Sequence, residues 1–377
     1  MRKAISFITF LFVVGFGGYY VLQNYFPNLV SPSKDIKQYL PATTETDSPL
    51  KIPSGYKLDV YSDLGGERPA VLTFDSRGTL FASSTNAGKI LAFPDFDKNL
   101  KPERKVEILS GLNKPHGIEF NQGYLYVAEV DKVSRFDYSP STMTVGKKEL
   151  LFLLPRGGKN IARAIKVHDN KLYTSVGSTC DACVEKDKLS ASILVSNLNG
   201  SNLKIFASGL RNTAYFDFDL AGKMWGVDIG RGGLGQSIPP DEVNLIEEGK
   251  NYGWPYCYGN IQKDLKVTSE GVINCETTVP SVYDLPAHSV PFGLVIDANG
   301  NILVSLSGST LSGKSIGYKI IRLSVFAESI SGEEDYLAGF VQGTNEVLGR
   351  PSGLAIDKNG NLFISDVKSG LIYVLTK

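Results

Sequence analysis

Six times along the chain, a short apolar stretch leads into an alternating apolar and polar run, a polar turn and a second alternating run. The copies are RPAVLTFDSRGTLFASS (68–84), KPHGIEFNQGYLYVAEV (114–130), ARAIKVHDNKLYTSVGS (162–178), RNTAYFDFDLAGKMWGVDIG (211–230), PFGLVIDANGNILVSLSG (291–308, Val290 leading) and RPSGLAIDKNGNLFISDV (350–367). Alternation with period two puts successive side chains on opposite faces of a strand, so each copy predicts a β-hairpin. Arg77-Gly78, Asn299-Gly300 and Asn359-Gly360 supply the left-handed backbone position that tight hairpin turns need. Third strands follow in KILAF (89–93), KVSRFDY (132–138) and YKIIRL (318–323). The copies start at 68, 114, 162, 211, 290 and 350, in steps of 46, 48, 49, 79 and 60 residues. The three shorter steps each hold one four-stranded blade.

Such a unit cannot bury both faces alone, so its copies stack radially about an axis. The predicted fold is all-β, a six-bladed β-propeller over residues 51–377. YKLDVYSDL (56–64) can pair with the C-terminal LIYVLTK (371–377) and close the ring. A pair of β-sandwiches is the rival all-β arrangement, but it gives no reason for a repeated unit. The two longer steps imply insertions at about 231–285 and 309–345, on loops at the channel ends where ligands bind.

The N-terminus follows a different pattern. Arg2 and Lys3 precede an apolar run from Ala4 to Leu22, broken only by Ser6 and Thr9. A helix of this length just crosses a hydrocarbon core of roughly 30 Å, with its leading positive charges held inside. Residues 1–26 are therefore expected to form a signal-anchor helix ahead of the propeller. A cleaved signal peptide is the alternative, although Tyr19 and Tyr20 stand where cleavage wants small residues; a buried core helix is the plainest reading. No long amphipathic helix is apparent after this segment. Residues 27–50, rich in Pro, Ser, Thr and Asp, are expected to be a linker. The propeller would then lie outside the cytoplasm, held to the membrane through the N-terminal segment only, or secreted if that segment is removed.

Charge narrows the partners. Lys plus Arg equals Asp plus Glu, 39 each, so no single-sign field exists to hold nucleic acid. Four cysteines, Cys180, Cys183, Cys257 and Cys275, allow three pairings, which spacing does not decide. A zinc site would need a second close pair, and a thioredoxin-like site a βαβ context; structural disulfides suit an exported chain better. No GxGxxG strand-turn-helix unit is present to hold a nicotinamide cofactor.

From residue 209 the chain reads GLRN (209–212), WGVDIGRG (225–232), PPDEVNLI (239–246) and NYGWPYCYG (251–259). PHGIEF (115–120), GSTCDAC (177–183), LPAHSVPFGL (285–294), GYKIIRL (317–323) and GRP (349–351) add to the set. In this order the motifs resemble those of the pyrroloquinoline quinone (PQQ)-dependent glucose/sorbosone dehydrogenases, over roughly residues 50–377. DEVNLI closely followed by NYGWP is specific, whereas PHG or GRP alone is weak. The resemblance implies a quinoprotein oxidising an aldose or related sugar, with hydride transfer to PQQ, assistance from Ca2+ and electrons passed on to an unidentified acceptor.

That chemistry needs cations for the three carboxylates of PQQ, a metal to polarise its reactive carbonyl, and a base for the alcohol proton. The resemblance places Arg211 and Asn212 beside the quinone and substrate, and Arg163 and Arg350 near the cofactor. It also suggests Lys314, in GSTLSGKS, as a cofactor-binding cation, although this loop departs from the family form. His116 and His288 match positions at the starts of inner strands, facing the channel mouth, where each is a candidate to contact the cofactor (His288 as a cofactor-binding residue) or to act as the base. Asp241 and Glu242 fall on the calcium-binding acidic pair, with Asp228 and the backbone around Tyr252 as further oxygen donors. The family's catalytic His falls on Lys159. A lysine serves as base only if its pKa drops far below about 10.4, and cofactor carboxylates would press the other way. Lys159 is thus a catalytic candidate set against a channel-lining cation. The plain readings are a surface Arg211, a solvated acidic turn at 241–242 and hydrogen-bonded structural histidines; His168, in the turn HDNK, is expected to be solvated. Two rivals remain: a non-catalytic propeller binding a glycan or protein, supported by the missing His, and a calcium-dependent lactonase, opposed by the DEVNLI–NYGWP pair.

Overall fold

Each predicted hairpin forms the two inner strands of a four-stranded antiparallel blade. The computed structural model describes residues 35–40, 48–267, 273–311 and 313–377. The expected anchor, residues 1–26, lies outside the described residues. Blade 1 runs outward through Leu72–Phe74, Leu80–Ser84, Lys89–Phe93 and Val106–Leu109. Blade 2 follows with Ile118–Asn121, Tyr124–Glu129, Lys132–Ser139 and Thr144–Leu153. Blade 3 comprises Ile165–His168, Lys171–Val176, Ser192–Asn197 and Lys204–Ser208. Blade 4 comprises Thr213–Phe218, Met224–Asp228, Asp241–Ile246 and Tyr283–Leu285. Blade 5 comprises Pro291–Ile296, Ile302–Leu306, Lys319–Phe326 and Ser329–Leu337.

Blade 6 closes the ring as its sequence allows. Pro351–Ile356, Leu362–Asp366 and Leu371–Thr376 are followed outward by Lys57–Asp63, paired from Lys57↔Thr376 to Asp63↔Leu371. Among the described residues the helical structure is two 3-10 turns, Ile36–Tyr39 and Cys275–Thr277, and no helix is long and apolar enough to cross a membrane. Within the expected linker, the first of these turns is docked on the propeller: Ile36 is buried, and its amide donates to the Leu348 carbonyl at 3.1 Å.

A repeated device draws the inner strands together. In blades 1, 3, 5 and 6 a second-strand serine accepts a first-strand N–H: Ser83 from Val71, Ser175 from Ala164, Ser305 from Gly293 and Ser365 from Gly353. Ser305 and Ser365 pass their own protons on to the next blade, to the carbonyls of Ser352 and Ala70. The approach is close enough that only glycine fits. A Cβ on Gly293 would lie 2.2 Å from the Ser352 oxygen, on Gly353 2.2 Å from the Ala70 oxygen, and on Gly117 2.4 Å from the Arg163 oxygen. Apolar side chains such as Phe81, Phe216, Trp225 and Ile321 fill the space between blades farther out.

The disulfides are Cys180–Cys183 and Cys257–Cys275. The predicted insertion at about 231–285 divides into a loop between the second and third strands of blade 4, and a longer stretch before its fourth strand. The longer stretch carries the Cys257–Tyr258 and Gln262–Lys263 ladder and the second disulfide. Most of the 309–345 stretch is the outer half of blade 5, followed by a small hairpin, Val341–Gln342 with Glu346–Val347.

Gly293→Ala and Gly353→Ala should each destabilise the propeller by roughly 1–3 kcal/mol, because backbone must move to admit the methyl group. Gly66→Ala, which has open space around it, should stay within about 0.5 kcal/mol of the parent. Urea midpoints at equal slope decide this, and equal midpoints for all three variants would contradict the close-approach argument.

Candidate cofactor site at the axial mouth

In an antiparallel blade, the turns joining strands one to two and three to four share one end. The connections between blades and those from strand two to strand three therefore share the other end, where residues preceding every inner strand gather. A cavity of about 570 Å³ opens there. Its lining comes from blades 1, 2, 3, 5 and 6, which places it on the axis. That volume falls in the range of small-molecule sites.

Arg68, Arg350 and Lys368 line this cavity, and among the described residues no carboxylate does. Arg350 donates from Nη2 to the Tyr318 hydroxyl at 3.1 Å, and its guanidinium carbon lies 5.3 Å from the Tyr318 ring centre. Tyr318 reaches this position because Gly308, at φ +80°, leaves room for its ring; a Cβ there would come within 2.4 Å of it. Arg68 makes no hydrogen bond or ion pair with the described residues, whereas the Lys368 ammonium donates to the Leu348 carbonyl at 3.4 Å. Phe292 and His116 meet edge to face, 5.2 Å between ring centres, on another part of the wall. Two planar walls and three cations suit a flat anion, since guanidinium groups pair with carboxylates in a planar fork. The residues present therefore fit PQQ: Arg68, Arg350 and Lys368 for its carboxylates, Tyr318 and Phe292 for its ring.

Of the residues expected from the sequence, Arg350 and His116 line this cavity, and the others fall elsewhere. Arg211 does not line the axial cavity. It donates from Nε to the Asp181 carbonyl (3.0 Å), from Nη2 to the Asp181 carboxylate (3.0 Å), and from Nη1 to the Ile229 and Gly230 carbonyls (2.9 and 3.1 Å). It clamps the Cys180–Cys183 loop to the loop entering the third strand of blade 4, and these partners occupy the donors a quinone would need. Asn212 is buried behind it, with its backbone N–H on Asp228 and its Oδ1 without a partner. Arg163 is 1% exposed and gives Nη1 to the carbonyls of Asn160 (2.9 Å) and Ala162 (2.8 Å). Burial lowers its pKa to about 10. Lys159 is exposed and absent from the cavity wall, although Ile161 and Ala162 belong to it, so it lacks the enclosure a lysine base would need. Lys314 is likewise exposed and off the wall. His288 is buried, its Nε2 2.8 Å from the Gly235 carbonyl, a structural bond that pins the blade 4 loop. His168 is not simply solvated: it stacks on Phe218 with ring centres 4.1 Å apart.

The expected metal set is only partly suited to calcium. Asp241 has both oxygens occupied by protein donors, Gly230 N–H (2.8 Å), Val290 N–H (2.8 Å) and the Ser289 hydroxyl (3.0 Å), so it fastens blade 4 to blade 5. The Tyr252 hydroxyl donates to Leu245 and accepts from the Glu247 N–H, a structural role within the insertion. Glu242 likewise has both oxygens engaged, by the Gly259 N–H (2.6 Å) and the Asn244 amide (3.1 Å), but it stands in a row of acids. Across neighbouring strands it pairs in register with Asp228 on one side and Asp284 on the other, a row of three carboxylates. Burial, and then Asp228, push the Glu242 pKa up to about 8. The buried Asn244, whose Nδ2 donates to Glu242, leaves its Oδ1 unpartnered. The ligand atoms of this row are not gathered about one point. The described sets of three possible ligands within 4.8 Å of one another are Cys180/Cys183/Glu185 and Asp95/Asp97/Glu103. Glu242, Asp228 and Arg211 instead line a second pocket, of about 30 Å³, between the blade 4 insertions.

Arg68, Lys368 and Tyr318 went unread in the sequence. Arg68 had a signal, because Arg68-Pro69 fills the same repeat slot as Arg350-Pro351. Lys368 had none, being an ordinary turn lysine until the blades assemble.

Comparison with known proteins agrees with the fold and the motif reading. The TrAA12-like family profile matches residues 50–377. An uncharacterised protein of Borreliella burgdorferi is 30% identical over 364 residues, covering 88% of this chain and 92% of its own. Among solved structures, the holo form of the pyranose dehydrogenase PQQ domain from Coprinopsis cinerea superposes with TM-score 0.76 at 19% identity, over 87% of this chain and 97% of that one. The calcium structure of the family AA12 carbohydrate-active enzyme from Trichoderma reesei gives 0.76 at 20% identity, over 87% and 96%. The PQQ-bound aldose sugar dehydrogenase of Streptomyces coelicolor gives 0.64 at 17%, over 86% and 99%. At these identities the structures establish a shared fold.

The raised Glu242 pKa makes a signed prediction. Between pH 4.5 and about 8 the folded side chain keeps a proton that the unfolded chain has lost, so stability falls as pH rises through that window. Asp228 and Asp241, both pushed by burial to about 6, act in the same direction from 3.8 upward. His116, lowered by burial to about 4, opposes them: its contribution is complete above 6.5 and falls as pH drops towards 4. Glu242→Gln should therefore unfold several degrees above the parent at about pH 8.5 and match it near pH 5, and calcium should raise the parent more than the variant at the higher pH. Parallel melting curves across pH, with equal calcium response, would contradict this.

Proposed function

The chain belongs to the TrAA12-like family, and on that footing we propose that it is a quinoprotein oxidoreductase that oxidises an aldose or related sugar. The observation that carries the reading is the axial cavity, walled by Phe292 and Tyr318 and holding three cationic side chains with no carboxylate among its described lining residues. Arg68, Arg350 and Lys368 would hold a tricarboxylate ring, with Arg350 oriented by the Tyr318 hydroxyl. When bound, such a quinone supplies a two-electron acceptor for hydride from an alcohol carbon. The protein's own share is to orient that ring, neutralise its charge and limit water around it. Electrons then pass to a separate acceptor. Calcium enters the proposal at the Glu242 row, with Asp228 and Asp284, as a neutralising ion within blade 4. The two disulfides suit an oxidising compartment, and the Ala4–Leu22 segment is read as the tether to a membrane.

A second reading has one observation in its favour. Among the described residues no carboxylate lines the cavity, and Lys159 stands outside it, so the described wall offers no carboxylate or lysine base for the alcohol proton. A propeller that keeps an anion without turning over a sugar would look the same.

Purified protein titrated with PQQ should take up about one equivalent, followed by aldose-dependent reduction of a redox dye. Arg68→Ala and Arg350→Ala should each weaken uptake roughly tenfold, the worth of one charge-assisted hydrogen bond. Uptake without sugar-dependent reduction would favour the binding module, and absence of uptake would remove the quinoprotein reading.

A further inference from the structure

Among the described residues lining the axial cavity, His116 is the one with a fully buried polar atom left unsatisfied, its Nε2. The ring is 2% exposed, and its other nitrogen is engaged: Nδ1 accepts the backbone N–H of Arg163 at 3.3 Å. An imidazole nitrogen that accepts a hydrogen bond carries no proton, so the proton of the neutral ring sits on Nε2. The reverse tautomer would set the Nδ1 proton against the Arg163 N–H and strand both donors.

The surroundings also oppose a doubly protonated ring. Arg163 lies beside it from blade 3, Phe292 packs on it from blade 5, and the titratable side chains elsewhere on the cavity wall are Arg68, Arg350, Lys368 and Tyr318. Among the described residues no carboxylate in the cavity offers an imidazolium a partner. Burial, with the Arg163 charge adding to it, lowers the ring's pKa to about 4.

We propose that His116 is a binding residue of the axial site, donating its Nε2 proton to an oxygen of the bound planar anion as a neutral, directional donor. This rests on the quinone reading of the cavity and adds to it the residue that selects the ring's orientation. The guanidinium and ammonium groups attract carboxylates from many directions, whereas a single N–H on a locked ring accepts only one. The same geometry removes His116 as a substitute for the missing base, since its proton-accepting nitrogen is already covered by the Arg163 amide.

Two measurements on the full chain decide this. Nitrogen-15 NMR of the imidazoles is tractable because the chain has 3 histidines, and His116→Gln identifies the signals. The apo protein should show His116 as the Nε2–H tautomer at neutral pH, and its Nε2 signal should shift when PQQ is added. An Nδ1–H tautomer or an imidazolium at pH 7 would overturn the proposal whatever the cofactor does. Equilibrium binding of PQQ should weaken roughly tenfold in His116→Phe and recover to within about threefold of the parent in His116→Gln, whose amide N–H can stand where Nε2–H stood. Both variants should melt as the parent does to within a few degrees. Parent-like affinity in His116→Phe would overturn the proposal. If the parent takes up no PQQ, the quinone reading fails separately, and benzene-1,3,5-tricarboxylate becomes the probe. A shift of the Nε2 signal with that anion supports the donor role, and no shift with either probe overturns it.

Discussion

Backbone meeting backbone at the axis is the constraint on which the rest of the molecule depends. Ser305 and Ser365 each hold a strand together within a blade and reach a carbonyl of the next, and Gly293 and Gly353 leave room for that reach. With the inner strands fixed so closely, the residues just ahead of them must crowd one mouth. Arg68, His116, Ala162, Phe292 and Arg350, at or a few residues before the inner strands of five different blades, each line the same cavity. The site is thus a consequence of the repeat: a position that is merely a strand entry in one blade becomes one wall of a binding site when six are closed into a ring.

Blade 4 is the exception, and its insertions explain why. Its strand-entry residues Arg211 and Asn212 are covered by the loops at 229–240 and 247–282, so Arg211 spends its hydrogen-bonding capacity on Asp181 and on loop carbonyls. Asp181 also pairs with Arg231, which pairs in turn with the buried Asp264. The result is a braced wall on one side of the mouth, with the Cys180–Cys183 loop as its outer edge. Charge is balanced within that wall, whereas the described lining of the axial cavity includes Arg68, Arg350 and Lys368 and no carboxylate. A difference of that kind is what an anionic ligand would distinguish.

The propeller could be read from the sequence because its signals are local: period-two alternation, turn glycines and a repeat of nearly constant length. Ring closure by residues 57–63 was equally visible, since an unpaired strand at each end of the chain had one natural partner. The site was only half legible. Motifs identify residue types in order, but not which donors are already taken. Arg211 and Asp241 match functional positions in type, yet carbonyls and amides distant in sequence have claimed them. Lys159 falls on the family's histidine position, while its exposure is set by the fold of the loop around it. Cysteine pairing also needed three dimensions, as did the apposition of Tyr318 and Arg350. Arg68 was readable in principle, because position within the repeat, rather than likeness to a motif, foretells which side chains share the axis.

The account turns on where an anionic ring sits. A crystal structure of the protein grown with PQQ tests this most directly. The account predicts density on the axis, with carboxylates against Arg68, Arg350 and Lys368 and the ring beside Tyr318 and Phe292. Density instead beside Arg211 and Glu242, with the loops of blade 4 displaced, or an axial cavity without the ring in crystals that bind it elsewhere, would contradict it.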